Sequence, residues 1–329
     1  MTSAPRLLVT GASGFVGLHL LQAAQARLPD WDVAGWYHGP KPARTGAVRW
    51  SSVDLDSVHA VAAGVGETRP THVLHLAAAA DVGGSFSNPH QAFSVNTMGT
   101  LNLLEALRQE APDARLLIVS SADVYGEAFK SGVPVDEKTP INPQNPYAAS
   151  KAAAELIAQS YVKLGLHLVI ARPFNHIGPG QSEHFAVSAF ARQLARIEVG
   201  LQPPRLQVGN LDARRDFSDV RDIAAGYIST IERMERLSSG LVLNFCSGVS
   251  RRIRAVLNEL IVVSGANVEI TQDPARMRPS DIPFAAGNPE RARRLLDWRP
   301  KHPWQETLET TLSDWRGRTR SGQSGQLES

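Results

Sequence analysis

Cysteine is almost absent. Cys246 is the only one in 329 residues, so no disulfide can form within the chain, and a small disulfide-stapled secreted fold is excluded. Long apolar runs are missing as well: none approaches the roughly 20 residues that a membrane-spanning helix needs, and no membrane partner is expected. The segment Met1–Gly11 enters a strand-like pattern at once, without the apolar stretch of a secretory signal, which makes the cytoplasm the expected address. An excess of one charge is lacking too. Thirty-four Lys and Arg face 32 Asp and Glu, a net charge of +2, and no basic stripe marks a nucleic-acid binder. Lysine is scarce, with six against 28 Arg, a bias that composition explains for most of them. What remains is 43% hydrophobic and 20% charged. That balance suits one large α/β unit, or a core domain with a smaller partner.

Short apolar runs at Arg6–Thr10, Trp31–Tyr37, His72–Ala77, Arg115–Ser121 and Leu166–Arg172 alternate with helical stretches near Phe15–Arg27, Asp56–Val65, Pro89–Gln109 and Pro146–Leu164. The alternation predicts an α/β fold, a doubly wound parallel sheet of Rossmann-like type covered on both faces. Such a sheet takes its ligands at the carboxyl ends of its strands, near the topological switch point. From Pro173 onward Pro and Gly become frequent. Helices are expected at Phe185–Val199, Ser218–Arg236 and Arg251–Val263, with isolated strands at Leu241–Phe245 and Val268–Thr271. This reads as a smaller α+β substrate domain, formed by 173–214 and 248–316. The dinucleotide-binding part comprises 1–172 plus about 215–247. Gly317–Ser329 has almost no apolar residues and is expected to be disordered.

The strand ends carry the chemistry. After the first strand stands Thr10-Gly11-Ala12-Ser13-Gly14-Phe15-Val16-Gly17, a GxxGxxG turn that opens a helix. Its glycines permit a tight turn and close approach to a pyrophosphate, which the helix N-terminus would face with free N–H groups. After the second strand no Asp or Glu is available for ribose hydroxyls. His38, Lys41 and Arg44 could instead face a 2′-phosphate, which favours NADP, with NAD still possible. Asp54-Leu55 could flank an adenine, or Asp54 could stand beside Asp56 as an ordinary helix N-cap. Leu76, Ala77 and Ala78 end the third long strand with small side chains, against which a flat cofactor could lie.

The next strand ends in Ser120-Ser121-Ala122-Asp123-Val124-Tyr125-Gly126. Beyond it comes Asn145-Pro146-Tyr147-Ala148-Ala149-Ser150-Lys151. Asn145 suits an N-cap and Pro146 the first helical position. Tyr147 and Lys151, four apart, then share a helix face. A phenol titrates near 10 and is a poor acid or base at neutral pH unless tuned. An ammonium one turn away, together with an oxidised nicotinamide ring, is expected to stabilise the phenolate and lower its pKa, while the Ser121 hydroxyl holds a substrate oxygen.

TGASGFVG, SSADVYG and YAASK occur in the order and approximate spacing of the extended short-chain dehydrogenase/reductase family, which the chain resembles over about residues 6–316. The resemblance implies a catalytic triad of Ser121, Tyr147 and Lys151, the last two also touching the cofactor. RPFNHIGPGQ (172–181), VGNLDARRDF (208–217) and DPARMRP (273–279) are similar to segments of the family's GDP-sugar branch, and LDWRP (296–300) resembles its LGWxP motif, with Asp297 where Gly is usual. That branch holds GDP-mannose 4,6-dehydratases and GDP-6-deoxy-4-keto-mannose reductases. By resemblance, Asn175, Arg215 and Arg278 would contact a GDP-sugar, two guanidinium forks being suited to its pyrophosphate. Ser85 and Asp123 would be further substrate ligands, and His176 would lie near the nicotinamide or be a satisfied loop histidine. Arg214 and Arg276 read as solvated neighbours. His72 and His75 lack companions at metal-ligand spacing, so no metal is expected.

A dehydratase of this branch must also remove a C5 proton, and the motif it resembles carries Glu where Asp123 stands. Aspartate reaches about 1.5 Å less, and proton abstraction depends steeply on placement. The expectation is therefore reduction of GDP-4-keto-6-deoxy-D-mannose to GDP-D-rhamnose, with the talose epimer open. GDP-mannose 4,6-dehydratase or nucleotide-sugar 4-epimerase activity is the alternative enzyme reading. A cofactor-bound sensor is the non-enzyme alternative, and it would be expected to lack Tyr147 or Lys151. Relatives imply a homodimer paired through a four-helix bundle built on Pro89–Gln109 and the Tyr147 helix.

Overall fold

The computed structural model describes residues 4–40, 42, 46–277 and 282–322. In chain order the first half contains β1 (Arg6–Thr10), α1 (Phe15–Arg27), β2 (Asp32–Tyr37), β3 (Arg49–Ser52), α2 (Val58–Thr68), β4 (His72–His75), α3 (Gly84–Ser87), α4 (Pro89–Phe93), α5 (Gly99–Glu110), β5 (Arg115–Val119), α6 (Pro146–Lys163) and β6 (His167–Pro173). The second half contains β7 (Asn175–Ile177), α7 (Ala186–Glu198), β8 (Arg205–Val208), β9 (Arg214–Asp219), α8 (Val220–Arg233), β10 (Leu241–Phe245), β11 (Ser250–Arg252), α9 (Ile253–Ser264), β12 (Glu269–Gln272), β13 (Phe284–Ala285), α10 (Glu290–Leu296) and α11 (Trp304–Arg320).

The main sheet has seven strands in the order β10-β6-β5-β4-β1-β2-β3, all parallel. Leu7, Val9, Leu117 and Val169 point to one face and pack with Leu20 and Leu21 of α1 and Ile223 and Tyr227 of α8. Leu8, Val73, Leu116 and Ile170 point to the other and pack with α2, α5 and α6. Both faces are therefore buried, which is why the strands read as near-continuous apolar runs. A second core holds α7, α9 and α11 through Leu194, Leu257, Leu312 and Trp315. Beside it, β9 carries β11, β13 and β7, and β8 pairs with β12.

Several expectations change. Leu241–Phe245 is not isolated: β10 is the edge strand of the main sheet, in register with Val169–Pro173. The helix expected to start at Ser218 starts at Val220, because Ser218 and Asp219 pair with β7 and Asp219 caps α8 by accepting from Arg221 N. Asp56 is not a helix cap. Ser57 caps α2, accepting from Ala60 N at 3.2 Å, and Asp54 instead accepts from Asp56 N. The single helix expected over Pro89–Gln109 is interrupted by a π-turn at Ser94–Met98. That turn lets Asn96 and Thr97 both hydrogen-bond Ser150 of α6. Gly317–Arg320, expected in a disordered tail, continues α11, because Trp315 is buried and donates to Ser188 Oγ, and Thr319 is buried in turn. Among the described residues no helix is long and apolar enough to cross a membrane.

Two histidines lie inside this framework. His75 accepts from Thr10 Oγ1 through Nδ1 at 2.7 Å and donates from Nε2 to Thr100 Oγ1 at 3.0 Å, since the Thr100 proton goes to Asn96 O. Burial, with the Lys151 charge adding, holds its pKa down to about 3. Burial and Arg115 hold His72 at about 4. A neutral histidine in the native state that takes a proton when unfolded stabilises the fold above its ordinary pKa of about 6.5, and that contribution is lost as pH falls. Urea unfolding at a series of pH values should show stability falling from pH 6.5 to 4. His75→Gln should be less stable at pH 8 but flatter over that window; an unchanged slope would contradict this account.

Candidate active site

The sheet's connections reverse direction between β1 and β4, and the cleft opens there, with a volume of about 1380 Å³. The glycine turn forms one wall. Gly11 has φ +66°, and a Cβ on it would stand 2.7 Å from both Cα and N of Ala77. A Cβ on Gly17 would stand 2.5 Å from Ala12 O, so α1 can approach β1 this closely only with glycine there. Gly14 precedes α1 as a cap without a side-chain bond, and the first turn has no acidic residue. Those are the free N–H groups and partial positive charge that an anion requires. Ser13, Gly14, Phe15, Val16 and Gly17 all line the cleft.

The other walls hold most of the residues singled out from the sequence. His38, Asp54 and Leu55 line the end near β2 and β3, and Leu76, Ala77 and Ala78 line the floor after β4. Lys41, Arg44 and Arg278 lie outside the described residues. Asn175, His176 and Arg215 line the opposite end. His176 donates from Nδ1 to Phe174 O at 2.9 Å, and its ring lies nearly parallel to that of Phe15, 5.9 Å away. Burial pushes its pKa down. Arg215 is braced by donating to Arg214 O and Ile282 O. Arg276, read as a solvated neighbour, lines the cleft and pairs with Asp273. Arg214 remains outside it, bonded to Ser250.

Ser121, Asp123, Tyr147 and Lys151 meet on the floor of the cleft. Asn145 caps α6 by accepting from Ala148 N at 2.8 Å, with Pro146 in the first turn, and this sets the rotation that turns Tyr147 and Lys151 inward. Ser121 Oγ accepts from Asp123 N at 3.1 Å. Ser85 lies off the cleft lining. Its hydroxyl donates to Val82 O and accepts from Tyr147 N, so it is occupied in holding the start of α6.

Burial sets the electrostatics of these groups. The Lys151 ammonium donates to Val119 O at 2.9 Å, the last carbonyl of β5, and burial lowers its pKa to about 8, opposed by Glu155. Burial pushes the Tyr147 phenol up; the Asp123 carboxylate adds to the rise, and a hydrogen bond with Ser121 opposes it. The phenol is therefore held protonated, as a proton donor must be.

Sequence reasoning missed several lining residues. Phe185, Phe190 and Val208 face the cleft from the second half of the chain, but their spacing reads only as the apolar side of a helix and a strand. Ser120 lines the cleft as well, its hydroxyl buried and without a hydrogen-bond partner. The doubled serine at a strand end was the available signal.

The family model for GDP-mannose 4,6 dehydratase matches residues 8–311. The chain belongs to that family. It is thereby an extended short-chain dehydrogenase/reductase, as its motifs implied. Among its relatives, GDP-6-deoxy-D-mannose reductase of Pseudomonas aeruginosa is 38% identical over 316 residues, covering 96% of this chain and 98% of that one. The structure of RMD from Pseudomonas aeruginosa complexed with NADPH matches with a TM-score of 0.82 and 36% identity, over 96% of this chain and all of the other. UDP-glucose 4-epimerase of Thermus thermophilus in complex with NAD matches with a TM-score of 0.84 and 33% identity, over 95% of this chain and 99% of the other.

Because Gly11 combines a positive φ with backbone contact on its open side, Gly11→Ala should cost about 1–3 kcal/mol. A fall in melting temperature together with loss of dinucleotide binding in a fluorescence titration is expected. Wild-type behaviour in both would show the turn to be permissive.

Proposed function

We propose that this chain reduces the C4 keto group of GDP-4-keto-6-deoxy-D-mannose with NADPH to give GDP-D-rhamnose. The observation that carries this reading is the near full-length identity to GDP-6-deoxy-D-mannose reductase, joined to a floor of Ser121, Tyr147 and Lys151. The cleft suits a dinucleotide: the Gly11 cradle excludes any side chain, the first turn of α1 offers uncapped N–H groups, and the Ser120 hydroxyl lacks a partner. Gly11, Ser13, Gly14, Phe15, Val16 and Gly17 would hold its pyrophosphate, His38, Asp54 and Leu55 its adenosine end, and Leu76, Ala77, Ala78 and His176 its nicotinamide end. NADPH bound there supplies the hydride.

The protein's part is proton and charge management. Ser121 donates to the keto oxygen and orients it. Tyr147, kept protonated by burial and by Asp123, gives its proton to that oxygen as negative charge develops, and Lys151 stabilises the phenolate left behind. Asp123 serves as a ligand for a sugar hydroxyl. Asn175, Arg215 and Arg278 take the nucleotide diphosphate. Residues 1–172 and about 215–247 form the cofactor-binding part, and 173–214 with 248–316 the substrate part. The reaction belongs to nucleotide-sugar metabolism for surface polysaccharides and takes place in the cytoplasm.

The same reading includes a homodimer through the helices of Pro89–Gln109 and α6. Phe93, Met98 and Leu156 are large apolar side chains exposed on α4, the π-turn and α6, Leu156 at 65%. Leu156→Arg should shift the protein to a monomer in size-exclusion chromatography with light scattering; an unchanged mass would place the interface elsewhere.

Purified protein is to be given NADPH and the 4-keto sugar formed in situ from GDP-mannose by a known dehydratase, with the C4 configuration of the product read by NMR. NADPH oxidation coupled to a GDP-deoxyhexose is expected. Consumption of GDP-mannose without added dehydratase would replace this reading by the dehydratase one. Tyr147→Phe should lower kcat about 10²–10⁴-fold and leave the Kd for NADPH within a few-fold. Undiminished turnover would remove the phenol from the mechanism.

A further inference from the structure

One buried ion pair lies directly behind the reacting groups and is used by nothing above. Glu155 sits one helical turn beyond Lys151 on α6, and Arg172 stands in β6. Both side chains are less than a tenth exposed. Arg172 Nε donates to Glu155 Oε1 at 3.0 Å and Oε2 at 3.2 Å, and Nη2 donates to Oε2 at 2.6 Å. The guanidinium is fixed from its other side by the Tyr125 ring, 4.7 Å away, and the Tyr125 hydroxyl donates to Asn244 Oδ1 of β10. Lys151 Nζ is pinned to Val119 O. Because β5 and β6 are neighbours in register, Val119 opposite Ala171, the two successive turns of α6 are anchored to two adjacent strand ends. We propose that Glu155 is a positioning residue for the reductase reaction: through Arg172 it locks the Lys151 turn of α6 against the sheet and keeps the Lys151 ammonium charged in a dry site. This rests on the function proposed above.

The charge arithmetic makes the role specific. Two cations, Lys151 and Arg172, share one desolvated region with one carboxylate. Arg172 cannot give up its proton, so if the carboxylate charge is removed, Lys151 is the group that must neutralise. The other groups around the ammonium supply no substitute. His75 of β4 is buried and held neutral, Tyr147, on the same helix, keeps its proton, and the Asp123 carboxylate on the cleft floor acts on Tyr147, whereas the charge acting on Lys151 is that of Glu155. Burial has already drawn Lys151 down to about 8, and Glu155 is the charge opposing that fall.

The test reads the alkaline limb of the kcat/KM–pH profile for 4-keto sugar reduction. Glu155→Gln should move the limb at least one unit towards acid. Arg172→Gln, which leaves the carboxylate to Lys151 alone, should move it towards alkali. Glu155→Asp should recover most of the wild-type limb. Because a lone buried Arg172 can prevent folding, the neutral pair Glu155→Gln/Arg172→Gln is made as well, and its limb should shift to acid by less than that of the single Glu155→Gln variant. Limbs at the wild-type pH in every variant that folds, with only kcat or melting temperature lowered, would make Glu155 a strut and overturn the proposal. If the wild type reduces no 4-keto sugar, the reductase reading fails separately. The same variants are then read by the pH dependence of the NADPH Kd, measured by fluorescence, with the same opposed shifts expected and coincident curves counting against Glu155.

Discussion

A parallel sheet cannot cover its own carboxyl edge where its connections change direction, and everything in this molecule follows from that gap between β1 and β4. Helices on one face leave β1 going one way, helices on the other leave β4 going the other, and the floor between them is made only of strand ends. The glycine turn fits into the gap because Gly11 can turn with a positive φ against the Ala77 backbone. The Tyr147 helix then closes it from the far side. Once those two pieces face each other, a dinucleotide and a keto sugar have one place in which to meet.

The polar interior holds that gap to a fixed width. Thr10, His75, Thr100, Asn96 and Ser150 form a continuous hydrogen-bonded thread from the end of β1 to the second turn of α6. Each link is buried, so each would cost free energy if left unmade. The π-turn at Ser94–Met98 belongs to this thread. Its extra residue sets Asn96 to hold Ala79 N while reaching Ser150, which a regular helix over the same span would not do.

How far the fold was legible follows from what each residue's neighbours are. The GxxGxxG turn and the Asn145-Pro146 helix start are local devices: their meaning lies in backbone geometry over a few residues, and they read correctly from the chain. The apolar strands were readable for a similar reason, because both sheet faces are buried. The second half of the chain was harder. Its strands, such as β9 and β13, are short and are held by partners far away in sequence, and the Ser218–Asp219 segment became strand rather than helix only because β7 lies beside it. The burial of Tyr147 was out of reach for the same kind of reason. The sequence shows the nearby cation, but the burial that raises the phenol's pKa belongs to the assembled fold.

The last helix ties the carboxyl end of the chain to the cleft. Asp314 accepts from Gly180 N, and Arg318, paired with Asp314, donates to Gln181 O. Gln181 in turn donates to His176 O. Two hydrogen bonds therefore separate α11 from the histidine that stacks on Phe15. An affinity tag or a trimmed end placed upstream of Arg320 would not be a neutral choice of handle, since the loop framing the nicotinamide end of the cleft is fastened from that side.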